Sequence, residues 1–200
     1  MNDFSIESLT LTVIVLVLAY ILGSIPFGIL ISKVFGLGNL RNLGSGNIGA
    51  TNVLRTGNRF AALLTLILDG SKGLLGVILA RFISEDAAIT ASVCVILGHI
   101  YPIWLKFVGG KGVATFIGAL LALNLMAGIL VCLVWLSMAF FYRYSSLAAI
   151  ICSISAPIWI SLFYGNDALV VTLIMTILVL YRHKDNIKRF VDGSESKIGN

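Results

Sequence analysis

Four separated stretches of this sequence carry side chains able to hold and handle anions. The first runs from Gly44 to Gly57 and contains Ser45, Gly46, Asn47, Thr51, Asn52 and Arg55. Its glycines let backbone N–H groups approach a ligand closely and form anion-cradling concavities. Ser45, Thr51 and Asn52 add side-chain donors, and Arg55 adds a bidentate fork suited to phosphate. The second stretch is Gly98–Thr115, where Gly109, Gly110 and Gly112 flank Lys111. A helix predicted to begin just after Lys111 would point its positive end at an anion. The spacing is not that of a Walker P-loop. Taken alone, Lys111 is equally a lysine snorkelling from the end of a membrane span, and His99 reads as a packed, hydrogen-bonded residue. The third stretch is Arg143-Tyr144-Ser145-Ser146-Leu147, two serines opening a helix beside an arginine, with one serine expected as an N-cap. In the fourth, Tyr181–Arg189, His183 and Asn186 stand three apart on one helical face. A basic juxtamembrane segment held by anionic headgroups is its plainer reading.

A different feature lies inside an apolar run, which Asp69-Gly70-Ser71-Lys72-Gly73 interrupts. A lone charge at the centre of a membrane helix costs ~2.5–3.5 kcal/mol. Asp69 and Lys72 stand at i, i+3 and can neutralise each other. They are expected to form a structural ion pair near the floor of a site. Cys94, Cys132 and Cys152 all fall in apolar runs, with no CxxC pair and no metal-ligand spacing. They read as core or lipid-facing residues, and neither a metal nor a cofactor is expected.

These stretches need elements to position them. Of 200 residues, 58% are hydrophobic and only 12% charged, about half the charged share of an ordinary soluble domain. That is too little polar surface to coat a globule in water, so the outer surface faces lipid. The apolar runs are Leu9–Ile31, Phe60–Phe82, Ala87–Phe107, Val113–Phe141, Leu147–Tyr164 and Ala168–Tyr181. Backbone groups in lipid must be satisfied within the segment, so the runs are helices and the chain is an all-α polytopic membrane protein. The first run is preceded by Asp3 and Glu7 rather than cations and is too long for a signal-peptide core.

Topology turns on Val113–Phe141. As one helix it would be ~43 Å long, against a hydrocarbon core of ~30 Å. If the chain instead turns back at Asn124, with its N-terminus outside, all of the 14 Lys and Arg residues except Lys72 and Arg81 fall on one side. The other side then collects Asp3, Glu7, Glu85, Asp86 and Asp167. This arrangement obeys the positive-inside rule, and it predicts seven membrane helices, N-out and C-in. Val113–Leu123, at ~16 Å, is either a short span or a re-entrant half-helix. The net charge of +5 follows from the same sorting and does not point to nucleic acid. No repeat, linker or low-complexity tract divides the chain, so residues 1–200 read as a single membrane-embedded domain.

The motifs SGNIGATNVLRTG, GHIYPIWLKFVGGKGVAT, the Arg143–Leu147 turn and YRHKDNIKR closely resemble those of the bacterial membrane acyl-phosphate:glycerol-3-phosphate acyltransferases. The resemblance extends from Gly23-Ser24-Ile25-Pro26 to Glu195. It implies transfer of an acyl group from acyl phosphate to the 1-hydroxyl of glycerol 3-phosphate, giving lysophosphatidic acid and phosphate, the first step of phospholipid synthesis. It implies no direct use of acyl-CoA or acyl carrier protein, and a seven-helix, N-out, C-in fold in the bacterial cytoplasmic (inner) membrane with the site on the cytoplasmic face. Carried over residue by residue, Ser45, Arg55, Lys111, Ser146, His183 and Asn186 become the catalytic set, with Ser146 preferred to Ser145. Gly46, Asn47, Thr51, Asn52, Gly110, Gly112 and Arg143 are expected to bind substrate phosphate. The proton acceptor is either His183 or a substrate phosphate. Membrane lipid and the soluble enzyme that makes acyl phosphate are the implied partners.

Two rival classes remain at this level. A secondary transporter of a phosphorylated solute would also use cationic loops and the Asp69/Lys72 pair. Against it, the polar residues gather at one face and no inverted repeat is visible. A phosphatidyl-transferase-type enzyme needs several intramembrane aspartates, and Asp69 is alone. The His and Asp five positions apart that mark acyl-CoA acyltransferases are absent, since Trp104 follows His99 and Lys188 follows His183 at that distance.

Overall fold

The computed structural model describes residues 6–199; Asp3, counted above among the outer acids, lies outside the described residues. Among the described residues the chain is entirely helical, with no strand. The first apolar run is not one helix. α1 (Ile6–Ser24) stops before Pro26 and α2 (Phe27–Val34) restarts after it, because proline has no N–H to give and disfavours helical geometry at the residue before it. The short α3 (Ala50–Leu54) closes the first polar stretch, and Asn58 then opens α4 (Arg59–Arg81) by accepting from the Ala61 N–H at 2.9 Å. α4 runs unbroken through Asp69–Gly73. Glycine costs a helix about 1 kcal/mol, and here the neighbouring helices restore it, so the expected interruption is one of sequence and not of backbone.

Ser84 caps α5 (Glu85–Ile100) through the Ala87 N–H, with Glu85 and Asp86 in the first turn where the helix dipole favours acids. The Val113–Phe141 run splits into α6 (Val113–Leu123) and α7 (Leu125–Tyr142). Asn124 stands between them in extended geometry and caps α7 by accepting from the Ala127 N–H. α8 (Ser145–Phe163), α9 (Leu169–Arg182) and α10 (Lys184–Val191) complete the chain. Neither serine caps α8, contrary to expectation: Tyr144 occupies that place without a side-chain bond, and both hydroxyls are used elsewhere.

Among the described residues, five segments are long and apolar enough to cross a membrane: Ile6–Val34, Arg59–Arg81, Glu85–Leu105, Leu125–Tyr142 and Ser145–Phe163. α6 and α9 are apolar but shorter. α4 lies at the centre of the bundle, touching α1, α5 and α6, while α7, α8 and α9 follow in sequence and α9 returns to α5. Two glycines set the α4/α6 spacing. A Cβ on Gly118 would fall 2.0 Å from the Gly70 carbonyl oxygen, and one on Gly73 2.1 Å from that of Thr115. Without a hydrophobic drive between helices in lipid, such close approach is what gains packing.

The two ends of the bundle differ. At one, Arg81 reaches Glu85 and, with Nη1 and Nη2, the Ala122 and Leu123 carbonyls that end α6; Asn124 reaches the Phe163 carbonyl; Tyr164 donates to Glu85. At the other, all four polar stretches meet. The turn at Asn124 therefore brings the start of α8 back to the end from which α6 set out.

Candidate active site

A cavity of ≈ 420 Å³ opens among these four stretches. Its polar end holds Ser45, Asn47, Thr51, Arg55, Lys111, Ser145, Ser146, His183 and Asn186, from four parts of the chain. Its other end is an apolar slot between α4 (Leu66, Ile67, Leu74), α6 (Ile117, Leu121) and α7 (Trp135, Leu136). Leu66, Ile67 and Leu136 each keep about half their surface exposed, so the slot is not sealed.

Lys111 sits where two features converge. Gly112, at φ +84°, turns the chain into α6 as its N-cap. Among the described residues the N–H groups of Lys111 and Gly112 have no backbone acceptor, and with the first turn of α6 they form the positive end of that helix. Lys111 Nζ donates to Asn186 Oδ1. Burial pulls the Lys111 pKa down, Arg189 and Arg55 lower it further, and Glu195 and Asp185 oppose them; the result is about 8.

His183 links α9 to α10 and is buried. Its Nδ1 stands 2.7 Å from the Val179 carbonyl, which can only accept, so Nδ1 carries the proton and Nε2 is left as an acceptor. Burial is the main cause of a pKa of about 4; Lys111 and Arg182 add to it against the Val179 carbonyl and Glu195. Asn186 turns its amide so that Oδ1 faces Lys111 while Nδ2 donates to Glu195 Oε1 at 2.7 Å.

Glu195 is the site residue that the sequence reading passed over. Its Oε1 also accepts from Ser146 Oγ at 2.6 Å, and its Oε2 from Arg189 Nε at 2.7 Å. Burial pushes this carboxyl up, but the bonds from Ser146, Asn186 and Arg189 outweigh it and hold the pKa below the ordinary value. Ser196, next in the tail, accepts from Arg55 Nη2 at 2.6 Å. The one available signal was an acidic pair, Asp192 and Glu195, closely following a basic segment. His99 was likewise read as packing only; it is buried, lines the cavity and lies 3.6 Å by Nδ1 from Asp69 Oδ1.

Several expected phosphate ligands either lie outside the cavity lining or line it with their polar atoms already bonded within the protein. Asn52 is buried with both amide hydrogens given to the Leu40 and Leu43 carbonyls at 2.9 and 3.1 Å, while its Oδ1 accepts from the Ser45 N–H. It shapes the loop and has no donor to spare for an anion. Arg143 is exposed, takes left-handed geometry at the end of α7 and is not part of the cavity lining; it binds the backbone of Ile198, which is. Gly46 and Gly110 are outside the cavity lining, and the Gly110 N–H is already given to the His99 carbonyl. Thr51 Oγ1 is bonded to Ser145 Oγ at 2.9 Å. Asp69 and Lys72 lie 2.8 Å apart, both buried at the middle of α4. Among the described residues no group of three or more His, Cys, Asp or Glu side chains gathers as a metal site.

The profile of the family described as Glycerol-3-phosphate acyltransferase matches residues 13–193. A glycerol-3-phosphate acyltransferase of Cereibacter sphaeroides is 52% identical over 184 residues, covering 92% of this chain and 88% of that protein. One from Mesorhizobium japonicum is 46% identical over 187 residues, covering 94% and 96%. A crystal structure of PlsY (YgiH), an integral membrane glycerol 3-phosphate acyltransferase, in its glycerol 3-phosphate form is similar with a TM-score of 0.89 at 37% identity, covering 94% of this chain and 96% of that chain. Its lysophosphatidic acid form matches with a TM-score of 0.87 at 35% identity, covering 94% and 95%. With its apolar helices, its two-ended bundle and nearly its whole length matched, this chain is a multi-pass membrane protein that belongs to the glycerol-3-phosphate acyltransferase family.

Proposed function

We propose that this chain moves an acyl group from acyl phosphate to the 1-hydroxyl of glycerol 3-phosphate, releasing lysophosphatidic acid and inorganic phosphate, the first step of phospholipid synthesis. The observation that carries this reading is the two-part cavity. A cationic, hydroxyl-lined end suits two phosphorylated headgroups, and the apolar slot between α4, α6 and α7 suits an acyl tail. The whole chain acts as one domain and needs no metal or cofactor for this chemistry.

Both substrates are anionic and repel each other, so the site must offset that repulsion. Arg55, Lys111 and the positive end of α6 do so, each charge-assisted hydrogen bond contributing ~1.5–3 kcal/mol. Ser45 donates to a phosphate oxygen, Ser146 steadies the Glu195 carboxylate, and Asn186 holds Lys111 in place. The free N–H groups of Lys111 and Gly112 steady the negative charge that develops on the acyl oxygen. His183 is neutral at pH 7 and accepts a hydrogen bond from the 1-hydroxyl through Nε2, which orients the nucleophile. A phosphate oxygen with a pKa near 6 is a stronger base than an imidazole of about 4. The hydroxyl proton therefore passes to the phosphate: the new C–O ester bond forms, the anhydride C–O bond breaks, and phosphate departs carrying the proton.

We place the protein in the bacterial cytoplasmic membrane with seven membrane segments, N-terminus out and C-terminus in, and the cavity on the cytoplasmic face. The gathering of nearly all cations at the cavity end supports this. Acyl phosphate then reaches the site from the soluble enzyme that makes it or through surrounding lipid. The test is phosphate release by the purified chain in detergent from acyl phosphate plus glycerol 3-phosphate, with acyl-CoA as control donor. Release that requires both substrates is the expected result. A transporter of phosphorylated solutes would release none without a vesicle.

A further inference from the structure

The buried charges in the middle of α4 do more than neutralise each other. Lys72 Nζ also donates at 2.8 Å to the Ile25 carbonyl, which takes a second hydrogen bond from the Phe27 N–H at 3.1 Å in the turn at Pro26. The Asp69 carboxylate lies 3.6 Å from His99 Nδ1, and the Asp69 carbonyl accepts from Thr115 Oγ1 at 2.9 Å; that hydroxyl is itself 3.3 Å from His99 Nδ1. His99 and Thr115 bracket the Lys111 loop in sequence, one just before it and one just after. The cluster thus ties both ends of the loop to the centre of the bundle.

The loop itself rests on His99. A Cβ added to Gly110 would fall 2.2 Å from His99 Nε2, so the glycine backbone lies flat against the ring edge. The Gly110 and Gly109 N–H groups go to the His99 and Ile100 carbonyls at 3.1 and 2.9 Å. From the other side, Arg182 binds the Gly110 and Gly109 carbonyls at 3.2 and 3.3 Å. The two glycines are clamped between an imidazole and a guanidinium, and Lys111 follows directly from the clamp.

We propose that His99 is a positioning residue: braced by Asp69, Lys72 and Thr115, it sets the height of the Gly109–Gly110 backbone and so aims Lys111 and the start of α6 at a substrate phosphate. The kinetic part of this inference rests on the acyltransferase reading. The binding part does not, because it concerns an anion site that any phosphate would report.

The test uses the full chain in detergent. His99→Asn removes the ring edge at Nε2 while keeping a polar atom near the Nδ1 position. The apparent KM for one phosphorylated substrate should rise at least fivefold, by more than kcat falls. Gly110→Ala in the parent should raise the same KM by forcing a Cβ onto the ring, and should do so much less once His99→Asn has removed that ring. Independent, multiplying effects of the two substitutions overturn the proposal, as does an unchanged KM in His99→Asn. If His99→Asn does not fold, Thr115→Val takes its place, with a raised KM expected and an unchanged one decisive against. Inorganic phosphate should raise the melting temperature of the parent and raise that of the variant less. Equal protection overturns the binding part whatever the reaction proves to be, whereas a parent that binds phosphate but releases none from acyl phosphate overturns only the acyltransferase reading.

Discussion

Replacing Lys111 with methionine is the most informative single change, because its pKa of about 8 makes its role visible in a pH profile. Burial disfavours the ammonium ion in the empty site, so the free lysine releases its proton well below the usual lysine range. A bound phosphate favours the charged form and raises that pKa. Binding therefore needs a proton to be present above about pH 8 but not below it. If one such proton is required, the apparent KM of the substrate phosphate that meets Lys111 rises about tenfold per pH unit above that point. Losing one charge-assisted hydrogen bond of ~1.5–3 kcal/mol corresponds to about 10- to 150-fold in KM at pH 7, where one factor of ten is 1.4 kcal/mol. Lys111→Met should show that increase and lose the alkaline rise altogether. Lys111→Arg, which stays charged throughout, should also be flat above pH 8. The assay is initial-rate phosphate release in detergent from pH 6 to 10, with a blank lacking glycerol 3-phosphate. An alkaline rise near pH 8 that survives in Lys111→Met, or a KM within threefold of the parent at pH 7, refutes the assignment.

His183, with a pKa of about 4, should leave kcat/KM without a limb of its own between pH 5.5 and 7.5; a limb in that window that disappears in His183→Asn counts against a neutral orienting role. The same depressed pKa means the fold resists protonation there, so its contribution to stability is present above about pH 6.5 and is lost as pH falls toward 4, which acid unfolding of the parent and His183→Asn would compare. Glu195→Gln keeps the hydrogen-bonded shape but removes the charge that Ser146, Asn186 and Arg189 converge on; kcat/KM should fall about tenfold or more, and full activity would show the carboxylate to be dispensable. Asp69→Asn leaves Lys72 charged and unpaired, a loss of about 3–5 kcal/mol, whereas Asp69→Asn with Lys72→Met should recover much of the melting temperature; equal melting in both variants contradicts the pairing argument. Gly118→Ala puts a Cβ 2.0 Å from the Gly70 carbonyl, and forced separation of α4 and α6 should cost about 1–3 kcal/mol, read as a lower melting temperature in detergent.

How far the sequence could be read depended on whether a feature was local. Helicity and membrane placement follow from apolar runs and from the need of every backbone group in lipid for a partner. The turn at Asn124 could be read because a ~43 Å helix does not suit a ~30 Å core and because turning back there gathers the cations on one side. The start of α6 at Val113 follows from glycine at Gly112, which takes left-handed geometry at no steric cost. The break at Pro26 was equally local, yet the run Leu9–Ile31 was read as continuous because hydropathy alone does not register a missing N–H.

What the residues by themselves determined is the inventory: an all-helical membrane bundle and four polar stretches rich in glycine, hydroxyls and cations. What only the tertiary structure decided is which of those groups face the cavity and which hold the backbone. Asn52 and Arg143 have the composition of ligands, but Asn52 is spent on the Leu40 and Leu43 carbonyls and Arg143 on the tail. Glu195 and His99 look incidental in sequence and stand at the site, because the fold brings distant Ser146 and nearer Asn186 to the one and distant Asp69 and nearer Gly110 to the other. The physical reason is that a side chain has few donors and acceptors, and its partners are chosen by three-dimensional proximity, which no periodicity along the chain encodes.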